Sequence, residues 1–210
     1  MQGFGARLVE HRADFDEARA HAAALAEEEG FVFAPSFAPD LVAGVASYAL
    51  ELFRGAPPLD AVYVPIGLGS GICGLIAARD ALGLGTEIVG VQNTGANAYA
   101  LSFAAEQVVT TPRADTRADG MASRLPDPNA FAIIRRGAAR IVEVTDEQVA
   151  EAIRAYWTDT HSLAEGAGAA PLAAAMAERE RIAGRRIGLI LCGGNIDLTL
   201  FRSWVLGERA

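Results

Sequence analysis

AVYVPIGLGSGICG, residues 61–74, decides the fold of this 210-residue chain. Its first six residues are an apolar run with Gly55-Ala56-Pro57-Pro58 before it and Gly67 after it. That is the pattern of a short, buried parallel strand. Gly67, Leu68, Gly69, Ser70 and Gly71 follow as a loop, and residues 72–82 read as a helix. A glycine loop between a strand and a helix gathers free amides and the positive end of the helix dipole at one point, and that point attracts an anion. Glycine lets the anion approach backbone that carries no Cβ, and Ser70 adds a hydroxyl donor.

Outward from this loop the chain alternates helices and strands. Residues 87–92 (EIVGVQ) are the next strand, so residues 61–92 form a βαβ unit whose loop lies at the carboxyl edge of a parallel sheet. Upstream, residues 6–10 and 31–33 read as short strands around a helix capped by Asp14, with Glu17 three residues on and Gly30 as its stop. Asp40 caps a helix to about residue 53. Downstream, residues 93–128 are irregular apart from a helix at 99–106. Asp127-Pro128 then starts a helix to 136, residues 140–144 are a strand, and Thr145-Asp146-Glu147 opens an amphipathic helix to 160. A helix at 171–182, opened by Pro171, a strand at 186–191 and a helix at 198–206 complete an α/β chain with no internal repeat.

Composition narrows the function. All 18 positively charged residues are arginine and there is no lysine; with 26 acidic residues the net charge is −8. No basic stripe interrupts the acidic balance, which argues against nucleic acid or an anionic membrane as partner. Arg135-Arg136 and Arg185-Arg186 are expected on the solvated surface. No apolar run approaches the length of a membrane span, and the opening residues contain no continuous apolar signal segment. The two cysteines, Cys73 and Cys192, form no CxxC pair, which points to a reducing compartment, taken as the cytoplasm, and to no zinc or disulfide framework. His11, His21 and His161 are scattered, so no metal site is expected. Tyr156 and Trp157 are expected to serve core or subunit packing.

A second glycine site, Cys192-Gly193-Gly194-Asn195, follows the strand at 186–191 and opens at the same sheet edge. Two glycine-lined strand ends can face one ligand, one cradling a phosphate and the other pressing a flat ring. Residues 69–74 also satisfy G-x-G-x-x-G, but the acidic ribose partner of a dinucleotide fold is missing, because EIVGVQ ends in Gln92. A P-loop is excluded, because its pattern ends in a lysine.

Taken in order, these motifs resemble the fold type II pyridoxal 5′-phosphate (PLP) enzymes, and most closely their threonine/serine dehydratase branch, which includes serine racemases and hydroxyectoine-utilisation dehydratases. VPIGLGSGICG resembles the phosphate loop of that family, and TRADGMA (116–122) its T-x-ADG-x-A segment. AEGAGAAPLAAA (164–175) resembles its E-x-x-GA-x-x-LAA helix start, LCGGNID (191–197) its SGGN strand end, and residues 5–30 the close of its small domain. The resemblance implies residues 1–34 as a remnant of the small α/β domain and residues 35–210 as a large, three-layer, parallel-sheet, PLP-phosphate-binding domain. It also implies that the backbone of Gly67, Leu68, Gly69, Ser70 and Gly71 holds the phosphate, that Cys192 sits at the pyridine nitrogen, that Glu165 lines the pocket near the ring, and that Gly193, Gly194 and Asn195 shape it.

Three departures qualify the resemblance. Leu68 and Ser70 stand where the usual loop has glycines, and Gln92 followed by Asn93 replaces the Glu of a divalent-cation site found in many relatives. The Schiff-base lysine and the S-x-G-N-H segment of the family would both precede Met1. The expectation is therefore the C-terminal portion of a dehydratase that converts a small hydroxy amino acid to a 2-oxo acid and ammonia. Without a lysine it has no catalytic residue of its own and holds PLP noncovalently at most. The open alternatives are a lysine-less binding module for PLP or another phosphorylated ligand and, more weakly, an NAD-type protein. Strands left unpaired by the missing front are expected to favour a homo-oligomer or a partner segment.

Overall fold

The computed structural model describes residues 2–11 and 14–208. The chain divides into two compact units, Met1–Ser36 and Phe37–Ala210. The first contains helix α1, Phe15–Glu29, whose N-terminus is capped by Asp14 accepting from the Glu17 amide at 2.8 Å. Gly30 ends it at φ +73°, in the left-handed region that glycine adopts without strain. The expected strands at 6–10 and 31–33 are not formed. A strand needs a hydrogen-bonded neighbour, and among the described residues nothing pairs with either segment; Val32 is 98% exposed.

The second unit is built on a four-stranded, all-parallel sheet in the order β3-β2-β1-β4. Its strands are β1, Ala61–Pro65; β2, Glu87–Asn93; β3, Arg140–Val144; and β4, Ile187–Leu189. The central strand β1 is buried on both faces: Ala61, Val62, Tyr63 and Val64 are each at most 1% exposed, as its unbroken apolar run requires. Val62 and Val64 pack under α2 (Pro39–Gly55), α3 (Ser70–Ala81), α4 (Ala98–Ala105) and α5 (Pro128–Gly137). Ala61 and Tyr63 pack under α6 (Asp146–Thr160), α7 (Gly166–Ala177) and the closing segment, in which α8 (Leu198–Leu200) runs into a π turn, Phe201–Val205. The three-layer arrangement follows from this alternation.

Most boundaries fall where the local signals put them, with four corrections. Helix α3 begins at Ser70 and not at Ile72, so Ser70 and Gly71, expected in the loop, form its first turn behind the Gly69 cap. Helix α2 begins at Pro39 with Ala38 as its cap, not at an Asp40 cap, because Pro39 is preset for the first helical position. Helix α7 starts at Gly166 and not at Pro171, which lies inside it. The residues from Gly166 to Pro171 are all buried, and burial of this small-residue helix outweighs the amide lost at Pro171. Strand β4 is shorter than residues 186–191, since the Ile190 amide makes the last bond to β1, donating to the Tyr63 carbonyl at 3.0 Å. Arg185 does not stand free in solvent; it pairs with Glu87 at 3.0 Å. Tyr156 packs against the core while Trp157 is 52% exposed. Among the described residues no helix is long and apolar enough to cross a membrane.

Candidate functional site

The sheet order creates one special crevice. From β1 the chain moves to β2 and β3 on one side, then returns through α6 and α7, on the opposite face, to β4 on the other side. The carboxyl ends of β1 and β4 therefore diverge at a topological switch point, where open α/β sheets bind ligands. A cavity of about 780 Å³ occupies it. Gly67, Leu68, Gly69, Ser70 and Gly71 line one side and Leu191 and Cys192 the other, with Val45, Tyr48 and Leu52 of α2 completing the wall. The sequence expects both glycine motifs at one ligand; the first loop lines this cavity throughout, and of the second motif Cys192 alone lines it.

The loop works as an amide cradle because the side chains and carbonyls that would fill it are held elsewhere. The first intrahelical bond of α3 runs from the Cys73 amide to the Gly69 carbonyl at 3.0 Å. The amides of Ser70, Gly71 and Ile72 therefore have no helical acceptor and, among the described residues, no other protein acceptor. Gly69 has φ +99°, and a Cβ on Gly67 would be driven into the Gly120 carbonyl oxygen. Those two positions require glycine, whereas positions 68 and 70 accommodate Leu68 and Ser70 on the same backbone.

Behind Cys192 the remaining motifs interlock. The Glu165 amide donates to the Gly193 carbonyl at 3.0 Å, and the Glu165 carboxylate accepts from the Asn195 amide at 3.0 Å. A Cβ on Gly193 would lie 2.5 Å from Glu165 Oε1. Glu165, Gly193 and Gly194 are not on the cavity wall: the expected pocket-lining carboxylate of Glu165 turns instead to the backbone after Cys192, because those amides have no strand partner. Gly120 and Ala167 reach the cavity in its place. Among the described residues, no group of three or more His, Cys, Asp or Glu is arranged to hold a metal ion. Gln92 is fully buried, and its Oε1 accepts from the Ala100 amide of α4 at 2.8 Å.

Several supports escaped sequence reasoning. Asp146 looked like a helix-opening acid, but its carboxylate binds Thr116 Oγ1 at 2.6 Å, Asn93 Nδ2 at 2.8 Å and the Arg117 amide at 3.0 Å. It thereby fixes the TRADG segment that carries Gly120. Two tyrosines hold the loop: Tyr99 donates to the Leu68 carbonyl at 2.8 Å and Tyr48 to the Gly71 carbonyl at 3.1 Å. Their only sequence signal was a phenol on an apolar helix, a group that needs a buried partner.

The two thiols differ in setting. Cys73 is buried in the core, and that burial, followed by Asp127, pushes its thiol up to about 12. Cys192 opens to the cavity, yet burial first and the Glu165 charge second push it above the ordinary cysteine value, so it remains a neutral S–H donor near pH 7. A raised value means less thiolate at a given pH. Alkylation of Cys192 by iodoacetamide at pH 7.5 is therefore expected to run several-fold slower than that of a free cysteine and to rise with pH, while Cys73 stays unlabelled. Rapid labelling of Cys192 at neutral pH would contradict this placement.

Comparison with known proteins agrees with the geometry. A family model described as pyridoxal-phosphate dependent enzyme matches residues 1–193. The L-threonine ammonia-lyase of Geobacter sulfurreducens is 37% identical over 196 residues, covering 93% of this chain and 49% of that protein. The serine racemase of Schizosaccharomyces pombe is 29% identical, with 94% of this chain and 61% of that protein covered. The processed form of threonine deaminase isoform 2 from Solanum lycopersicum superposes with a TM-score of 0.90 at 28% identity, over 98% of this chain and 57% of that one. The chain thus spans about half to three-fifths of the length of these relatives. It belongs to the fold type II pyridoxal-phosphate dependent enzymes, in the branch of the threonine dehydratases and serine racemases.

Proposed function

We propose that these 210 residues are the phosphate- and ring-binding part of a PLP-dependent dehydratase for a small hydroxy amino acid. The overall reaction is β-elimination to a 2-oxo acid and ammonia. The chain alone binds PLP noncovalently and does not turn substrate over. The observation that carries this reading is the cavity with an amide cradle on one side and a neutral thiol on the other. The residues fit the group: the Ser70, Gly71 and Ile72 amides lack a protein acceptor, and Cys192 stays protonated across the cavity from them.

When bound, PLP supplies an electron sink that eases removal of a proton from the amino acid's α-carbon. The amides of the Gly67–Gly71 loop hold the phosphate, helped by the α3 dipole. Cys192 would offer the ring nitrogen a hydrogen bond from a neutral thiol, which would not fully protonate it. Glu165, Gly193 and Gly194 hold the Cys192 segment at its depth. No residue of this chain can supply the lysine amine that the family uses.

This reading includes residues 1–34 as part of a small domain and residues 35–210 as the large one. It also includes a homo-oligomeric state and a cytoplasmic location. Incubation of the purified chain with PLP and threonine is expected to release no 2-oxobutyrate above a protein-free control. Turnover dependent on the protein would overturn the noncatalytic assignment.

A further inference from the structure

Resting on that phosphate-binding reading, we propose that Tyr48 and Tyr99 are positioning residues of the cradle, orienting its amides by holding the carbonyls of the same peptide groups from outside. The argument begins with the peptide bond. In a trans peptide the C=O of one residue and the N–H of the next point in opposite directions, so fixing one fixes the other. Tyr99 donates its hydroxyl to the Leu68 carbonyl at 2.8 Å, which sets the Gly69 N–H. Tyr48 donates to the Gly71 carbonyl at 3.1 Å, which sets the Ile72 N–H. A glycine-rich loop has many accessible backbone conformations, and a carbonyl turned inward would present negative charge to an anion. The Tyr99 phenol holds the Leu68–Gly69 peptide against that flip, and the Tyr48 phenol adds a bond to the Gly71 carbonyl in the first turn of α3, which fixes the direction of that turn.

Their placement supports this role. Tyr99 is fully buried beneath the loop, and the Asp127 amide donates to its hydroxyl at 3.0 Å, which fixes its direction. A Cβ on Gly69 would come 3.4 Å from the Tyr99 oxygen, so the phenol sits directly under the turn. Tyr48 comes from α2, on the helix face that also contributes Val45 and Leu52 to the cavity. Burial first and the Cys192 sulfur second raise its phenol, so its proton stays available to the Gly71 carbonyl.

The test compares PLP with pyridoxal, which lacks the phosphate, by titration of wild type, Tyr48→Phe and Tyr99→Phe. Each variant is expected to lose about three- to tenfold in affinity for PLP and for inorganic phosphate, the net worth of one hydrogen bond, with pyridoxal affinity unchanged. A purely structural role would weaken PLP and pyridoxal alike. Equal loss for both ligands, or no loss for PLP, overturns the proposal. Failure of the wild type to bind PLP or phosphate would instead strike the phosphate-site reading and this proposal with it. Tyr99 also accepts the Asp127 amide, so its variant is expected to be less stable; Tyr48→Phe carries the test if that variant does not fold.

Discussion

Gly67→Ala is expected to lower stability by about 2–3 kcal/mol, the upper range for a methyl forced into packed surroundings, and to weaken PLP binding by more than about tenfold. The added Cβ meets a backbone oxygen, that of Gly120, which no rotamer change can move aside. Relief requires the loop to separate from the TRADG segment, and that segment is tied down by Asp146 through Thr116 Oγ1 and the Arg117 amide. Gly71→Ala is the matched comparison. There the nearest atom to a new Cβ is Tyr48 Oη at 3.7 Å, an ordinary contact. Because the position is helical, its folded state should be unchanged or stabilised by up to about 1 kcal/mol. Denaturant unfolding of the two variants separates them, and equal stabilities would show that the close approach of Gly67 to Gly120 is not a constraint.

Arg140→Met is expected to cost about 2–3 kcal/mol, below the 3–5 typical of breaking a fully buried ion pair because these groups keep some solvent access. Arg140 stands at the start of β3 and joins Glu178 at 2.6 Å, Glu87 at 3.1 Å and the Tyr63 hydroxyl at 2.9 Å. Tyr63 in turn donates to Glu178 at 2.6 Å. This network closes the amino edge of the sheet, opposite the cavity. Burial alone would raise the Glu178 carboxyl, but the Arg140 and Tyr63 hydrogen bonds outweigh it and hold the group below the usual carboxylate range. Its contribution is present above that range and is lost as pH falls through the lowered value. Wild type should therefore lose stability on acidification more steeply than Arg140→Met, while both bind PLP equally well at neutral pH. A variant with unchanged unfolding and an unchanged acid profile would contradict the assignment.

What was legible in the sequence was local. The strand, glycine loop and helix at 61–81 announce themselves within twenty residues, and the caps at Asp14, Asp127 and Thr145 each act on amides two or three positions away. The pairing of the loop with the Cys192 segment was legible because both are glycine motifs after apolar strands. What escaped comes from partners distant in sequence. Tyr48 and Gly71 are 23 positions apart, Tyr99 and Leu68 are 31 apart, and Tyr63 and Glu178 are 115 apart. Single-residue patterns cannot announce such pairs. The strands expected at 6–10 and 31–33 failed for a related reason: apolar, β-branched residues favour strand only when another strand is present to pair with. Pro171 misled because a proline early in a helix usually marks its first turn, whereas in α7 dense packing of Gly166, Gly168 and the neighbouring alanines sets the start.

The central claim is that the Gly67–Gly71 loop after β1 and the Cys192 segment after β4 form one pocket for a phosphorylated ring. Calorimetric titration of the chain with PLP, with pyridoxal and with inorganic phosphate tests it most directly. The account predicts one PLP site per chain, reversible on dialysis and at least about tenfold tighter than either fragment ligand. PLP binding no tighter than inorganic phosphate would mean a generic anion site at a helix terminus, and would contradict the assignment of the Cys192 wall to a ring.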